Sequence, residues 1–158
     1  MLQLIHAAIE TPNLALTRVA VRVDRLKLAK RLWRGVADDG VEFGFELEKR
    51  LQPGDAVFQT GKAWYVIEQE PEAVLEISLN VAASAAAGIG WAIGNLHLEL
   101  MAEPTRLLAL DEQAVRQLLA RLAVPFSQTT AVFRPGRFAR GQQNQAAPAD
   151  DLGPSHKH

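Results

Sequence analysis

The chain contains no cysteine. That absence excludes disulfides, thiolate nucleophiles, iron–sulfur clusters and Cys-ligated zinc together. Any metal must be held by histidine, carboxylate or backbone, and there are only four histidines. Charge of one sign is also lacking: 17 Lys and Arg stand against 18 Asp and Glu, a formal net charge of −1. An electrostatic nucleic-acid binder usually needs a clear basic excess, so no nucleic acid is expected as a partner. No run reaches the roughly 18 apolar residues that a spanning helix needs. Residues 81–93 come closest and are too short and too rich in Ala and Gly. The first ten residues have an apolar start but no basic leader or cleavage site, so they do not read as a signal peptide. The expectation is a soluble, cytoplasmic protein with no membrane partner.

What is present is enough for a core. Of the 158 residues, 48% are hydrophobic, which rules out global disorder. Residues 1–72 read as a small all-β domain. Val19, Val21 and Val23 alternate with Ala20 and Arg22, the period of a half-buried strand. Asp39-Gly40 separates two alternating runs, residues 31–36 and 41–47, and marks a hairpin because Gly accepts the positive φ the turn demands. Gly61-Lys62 separates a second pair, residues 56–60 and 63–69.

The texture then changes. Residues 73–79 read as a strand, with Asn80 placed as an N-cap. Ala82, Ala86, Ile89 and Ile93 fall at helical spacing, and Gly94 reads as the stop. Gly88 and Gly90 weaken this helix by roughly 1 kcal/mol each relative to Ala, which close packing would explain. Residues 97–101 and 106–110 read as strands. Asp111 caps an amphipathic helix with Val115, Leu118, Leu119 and Leu122 on one stripe, and residues 129–133 form the last strand. The order βαββαβ is that of a ferredoxin-like domain over residues 73–140. It covers one sheet face with helices and leaves the other open, an arrangement that commonly finds a partner. From Gly141 to residue 158 no apolar periodicity remains, and a disordered tail is expected. The fold class is therefore α+β.

No catalytic constellation emerges. The serines lie outside any Gly-x-Ser-x-Gly context. Gly88-Ile89-Gly90 lacks the third glycine and the strand–turn setting of a dinucleotide site. Asp38-Asp39 is explained by turn chemistry. The protein does not read as an enzyme. Among the histidines, His6 at the edge of an apolar run reads as incidental. His97 follows the helix stop, and Leu96, Leu98 and Leu100 alternate with it, so His97 and Glu99 would point to the open side of the sheet. His156 and His158 close the chain as His-x-His. They are either a chance pair of solvated side chains or ligands for Ni²⁺, Cu²⁺ or Zn²⁺. The basic stretch 22–34 (Arg22, Arg25, Lys27, Lys30, Arg31, Arg34) reads as a solvated face or a surface for an acidic protein partner.

These residues together resemble the UreE family, the urease accessory nickel metallochaperones. Arg31-Leu32-Trp33-Arg34 followed by Asp39-Gly40 and residues 43–47 resembles the family's Arg-rich strand, hairpin and next strand. Leu51-Gln52-Pro53-Gly54-Asp55 is similar to its Leu-x-x-Gly-Asp turn, and residues 72–77 to its lead into the second domain. Gly94-Asn95-Leu96-His97 is similar to its Gly-Asn-Arg-His motif. Departures are Leu96 in place of Arg, Ala92 where many members have a second His, Gly136-Arg137-Phe138 in place of Gly-Ala-Tyr, and a tail with two histidines rather than a cluster. The resemblance implies that the β domain, residues 1–72, makes protein contacts, and that a homodimer forms through the second domain, with His97 of each subunit meeting its counterpart as a Ni²⁺ ligand. It implies further ligands from His156 and His158, with Zn²⁺ or Cu²⁺ as other ions. The implied function is delivery of nickel to apo-urease, and the implied partners are the urease apoprotein and other accessory proteins, including the GTPase. The alternative is an adaptor without metal that uses the basic 22–34 face.

Overall fold

The computed structural model describes residues 1–136 and the strand segments Ala139–Arg140 and Gln143–Ala146, and it splits the chain into two compact units, Met1–Glu70 and Pro71–His158. The chain is a mixed α+β protein. No helix among the described residues is long and apolar enough to cross a membrane.

The first unit contains β1 (Gln3–Ile5), β2 (Thr17–Val23), α1 (Arg25–Leu28), β3 (Leu32–Val36), β4 (Glu42–Glu46), β5 (Ala56–Gln59) and β6 (Ala63–Gln69). Two three-stranded sheets form, ordered β1-β4-β3 and β2-β6-β5. Both expected hairpins are present, β3 antiparallel to β4 and β5 antiparallel to β6. At the first turn Gly40 takes φ 90°, and Asp39 accepts the Val41 N–H (3.2 Å). The parallel pairs β1–β4 and β2–β6 are non-local. The alternating residues of these strands meet in one core of Val21, Trp33, Phe43, Phe45, Tyr65 and Ile67, among others. Trp33 stacks on Phe45 with ring centroids 3.8 Å apart. Burying each such side chain stabilises the unit by roughly 1.5–3 kcal/mol.

The second unit runs β7 (Glu72–Ser78), α2 (Ala83–Asn95), β8 (Leu100–Ala102), β9 (Arg106–Leu110), α3 (Gln113–Arg121) and β10 (Ser127–Ala131). Its four strands pair antiparallel in the order β10-β7-β9-β8. Because side chains alternate along a strand, Leu75, Ile77, Leu107 and Ala109 share one face. They bury Ile89 and Ile93 of α2 and Val115, Leu118 and Leu119 of α3. Leu122, expected on that stripe, is 44% exposed.

Several local expectations are corrected. The second sheet face is not left open: Val74, Leu108 and Phe133 are fully buried together, with Met101, Leu110 and Ala131 against them. The chain leaves β10 at Ala131, two residues earlier than its apolar pattern suggests, and Phe133 is buried in this cluster. Gly136 then donates its N–H to the Leu100 carbonyl on edge strand β8 (2.8 Å). Helix α2 starts at N-cap Ala82 with no side-chain cap, and the Ser78 hydroxyl oxygen accepts the Asn80 N–H instead. The N-cap of α3 is Glu112, because both carboxylate oxygens of Asp111 are engaged by Arg116 (2.6 and 2.9 Å). Close packing within the chain does not explain the α2 glycines: a Cβ at Gly88 would meet nothing within 4 Å, and one at Gly90 only Leu100 at 3.7 Å. Beyond Gly136, Ala139–Arg140 and Gln143–Ala146 pair antiparallel where no regular structure is expected. A local backbone ladder of this kind needs no apolar periodicity.

Candidate metal centre

His97 does not lie on a strand. The residues expected to begin β8 instead close helix α2, and β8 starts only at Leu100. The His97 N–H donates to the Gly94 carbonyl (2.9 Å), and the Leu98 N–H donates back to Ile93 (3.2 Å). This pair of bonds is the Schellman cap, with Leu96 as C-cap and His97 in the left-handed position that glycine usually fills. His97 has φ 56°. The left-handed region disfavours a residue with a Cβ by roughly 1–2 kcal/mol. Leu98 and Ile93 belong to one apolar cluster, the hydrophobic contact that commonly accompanies such a cap. Gly94, expected as the stop, is inside the helix.

The consequence for the side chain is direct. Leu98 and Leu100 turn toward the helices, whereas Leu96 is 44% exposed and the His97 imidazole is exposed. It stands at the carboxyl end of a 13-residue helix, where the aligned peptide dipoles leave roughly half a negative charge. A cation is favoured there. Helix α2 itself carries no charged residue, and its outward positions Ser84, Ala87, Gly88, Trp91 and Asn95 are exposed. Trp91 is 70% exposed. Sequence reasoning missed Trp91, although 13 helical residues without one charge are a readable sign of a face not meant for water.

The other candidates lie elsewhere. The Nδ1–H of His6, on the first unit, donates to the Glu46 carbonyl (3.0 Å), a backbone tie that its reading as incidental did not anticipate. His156 and His158 fall outside the described residues. Among the described residues, no group of three or more His, Asp or Glu is gathered as a metal site. Among the described residues of the second unit, His97 is the one histidine, and no two further His, Asp or Glu gather beside it.

Comparison with known proteins bears on this same unit. The family described as UreE urease accessory protein, C-terminal domain, matches residues 72–158. The chain belongs to the UreE family. A urease accessory protein UreE of Deinococcus radiodurans is 32% identical over 128 residues, covering 80% of this chain and 79% of the relative. That of Geobacillus kaustophilus is 33% identical over 103 residues, 64% and 69% of the two chains. That of Bacillus sp. strain TB-90 is 31% identical over 124 residues, 75% and 82%. Membership assigns an accessory role in urease assembly, and it covers the unit in which His97 ends a charge-free helix.

Proposed function

We propose that this UreE protein is a nickel carrier, not a catalyst, that delivers Ni²⁺ to apo-urease in the cytoplasm. In this reading the second unit is the ferredoxin-like, metal-binding and dimerising domain. His97 of each subunit supplies one imidazole to a shared ion, and His156 or His158 completes the shell. Zn²⁺ and Cu²⁺ are the competing ions for such an imidazole set. The partners are urease apoprotein and its other accessory proteins, including the GTPase.

The observation that carries the reading is the place of His97. A residue with a Cβ occupies a left-handed position, exposed and at the negative end of a helix dipole. Left-handed non-glycine residues cluster at functional sites, and unlike the methyl of Ala123, in the same conformation, an imidazole can ligate a metal. The exposed, uncharged face of α2 supports a second copy: Trp91 stands in solvent, and Gly88 and Gly94 have open space around them. Close approach of another helix would account for glycines that otherwise only weaken α2 by roughly 1 kcal/mol each.

Calorimetric titration with Ni²⁺ tests the proposal, alongside sedimentation of the same samples. His97→Ala should abolish tight binding, and His6→Ala should leave it unchanged. Removing the residues after Gly141 should weaken binding while leaving the dimer intact. Ordering a tail costs roughly 1–2 kcal/mol per fixed residue, so its imidazoles alone should bind weakly. Unchanged affinity and stoichiometry in His97→Ala would sink the proposed site.

A further inference from the structure

The basic stretch of the first unit is divided by the structure into an internal part and an outward part. Arg22 belongs to the fold: it pairs with Asp38 (3.1 Å) and Glu68 (2.6 Å), and Arg18 reaches the same Glu68 (3.3 Å). Beyond it the chain makes one excursion, closed at its base where Val21 bridges Ala37 and the Asp38 N–H donates to the Ala20 carbonyl (2.9 Å). Asp24 caps the helical turn at its start by accepting the Lys27 N–H (2.8 Å). Leu28 and Trp33 are buried and pin the excursion to the core.

Val23 and Ala37 are buried as well, and the remaining cations of the excursion lie on its outer side. Lys27, Lys30, Arg31 and Arg34 are exposed, and no ion pair holds any of them among the described residues. No carboxylate occurs between Asp24 and Asp38. Glu46 and Glu42 on β4 lie in register with Leu32 and Val36 and pair with none of the four cations. Set among the charges are Leu26, 67% exposed, and Leu32, 74% exposed. Val36, on the same excursion, is 55% exposed as well. Cations next to exposed leucines fit a partner that offers carboxylates beside apolar side chains.

We propose that this excursion docks an acidic segment of a partner protein whose glutamates or aspartates alternate with leucine-like residues. The surface belongs to the first unit and His97 to the second, and the proposal makes no use of a bound metal.

The test is fluorescence anisotropy on the full chain with three labelled peptides of equal length: glutamate–leucine, glutamate–serine and lysine–leucine. The glutamate–leucine peptide should bind best, and its affinity should fall as salt rises. Arg31→Glu with Arg34→Glu should weaken it roughly tenfold or more and favour the lysine–leucine peptide. Leu26→Ser with Leu32→Ser should erase the advantage over glutamate–serine. These positions are exposed, and circular dichroism checks that each variant folds. His97→Ala should bind the peptide as wild type does. Equal binding of all three peptides, or no effect of the charge reversal, would overturn the proposal. So would tighter binding to phosphatidylglycerol vesicles or duplex DNA than to the glutamate–leucine peptide.

Discussion

His97 and Ala123 occupy the same place in two different helices. Each is the left-handed residue that closes a Schellman cap, at φ 56° and 53°. Ala123 donates its N–H to Ala120 (3.1 Å), and Val124 donates to Leu119 (2.9 Å), repeating the bonds around His97. Neither position has glycine, the residue that fits it best. At Ala123 nothing in the structure explains the choice. At His97 the position presents an exposed imidazole.

The pair yields a controlled experiment. His97→Gly and Ala123→Gly should each stabilise the second unit by about 0.5–1 kcal/mol, the relief of left-handed strain less the added freedom of the unfolded chain. The two gains should be similar, because the caps are. Only the first should lose Ni²⁺ binding. Urea unfolding of the metal-free proteins measures the stability, and a destabilised His97→Gly would show that the ring contributes to packing instead.

Much of this was legible from local pattern. The Asp39-Gly40 and Gly61-Lys62 hairpins follow from turn chemistry, and α3 from the spacing of Val115, Leu118 and Leu119. The βαββαβ order follows from alternation and periodicity. The helix caps were not legible, because Asn80, Gly94 and Asp111 are good terminators that the chain uses otherwise. Asp111 is held by Arg116, and Gly94 lies one turn too early. Nor could alternation tell that Phe133 leaves the strand: its burial depends on Val74 and Leu108, distant in sequence. The setting of His97 was not legible either: Leu96, Leu98 and Leu100 alternate by accident of the cap and so read as a strand.

Phe133 should prove the largest single contributor to the second sheet face. It is fully buried against Val74 and Leu108, so Phe133→Ala should cost about 3–5 kcal/mol. Phe133→Leu, which keeps most of the volume, should cost much less. Denaturant unfolding monitors both variants. A loss below about 1 kcal/mol for the alanine variant would mean the face is sealed by something other than this ring.

Asp111 links α3 to acid stability. Hydrogen bonds from Arg116 hold the Asp111 carboxyl below its ordinary value, ahead of a smaller upward effect of burial and a further lowering by the Arg116 charge. A group with a depressed folded pKa contributes stability above its unfolded value, about 3.9, and that contribution is lost as pH falls through the folded value. Asp111→Asn should therefore be less stable than wild type at neutral pH, and the gap should close at the acid end. A gap that stayed constant from about pH 6 to pH 2.5 would show that the ion pair does not titrate with folding.

Tyr65 does the same at the alkaline end, and it can be watched alone because it is the sole tyrosine. It is buried, and its hydroxyl donates to Asp39 (2.9 Å) at the hairpin turn. Burial first, then that hydrogen bond and the Asp39 charge, raises the phenol above its ordinary value. Folding thus favours the protonated phenol: its contribution is whole below the unfolded value of about 10 and fades as pH rises through the folded one. The phenolate absorbance near 295 nm should accordingly appear at higher pH in the folded protein than in urea. Asp39→Asn should bring the two titrations closer without merging them, because burial remains. Tyr65→Phe removes the donor to Asp39 Oδ2 and should cost about 1–2 kcal/mol near neutral pH, with the alkaline limb of the stability profile flattened. Coincident folded and unfolded titrations would refute the buried, hydrogen-bonded phenol and with it the tie between the Asp39 turn and the aromatic core.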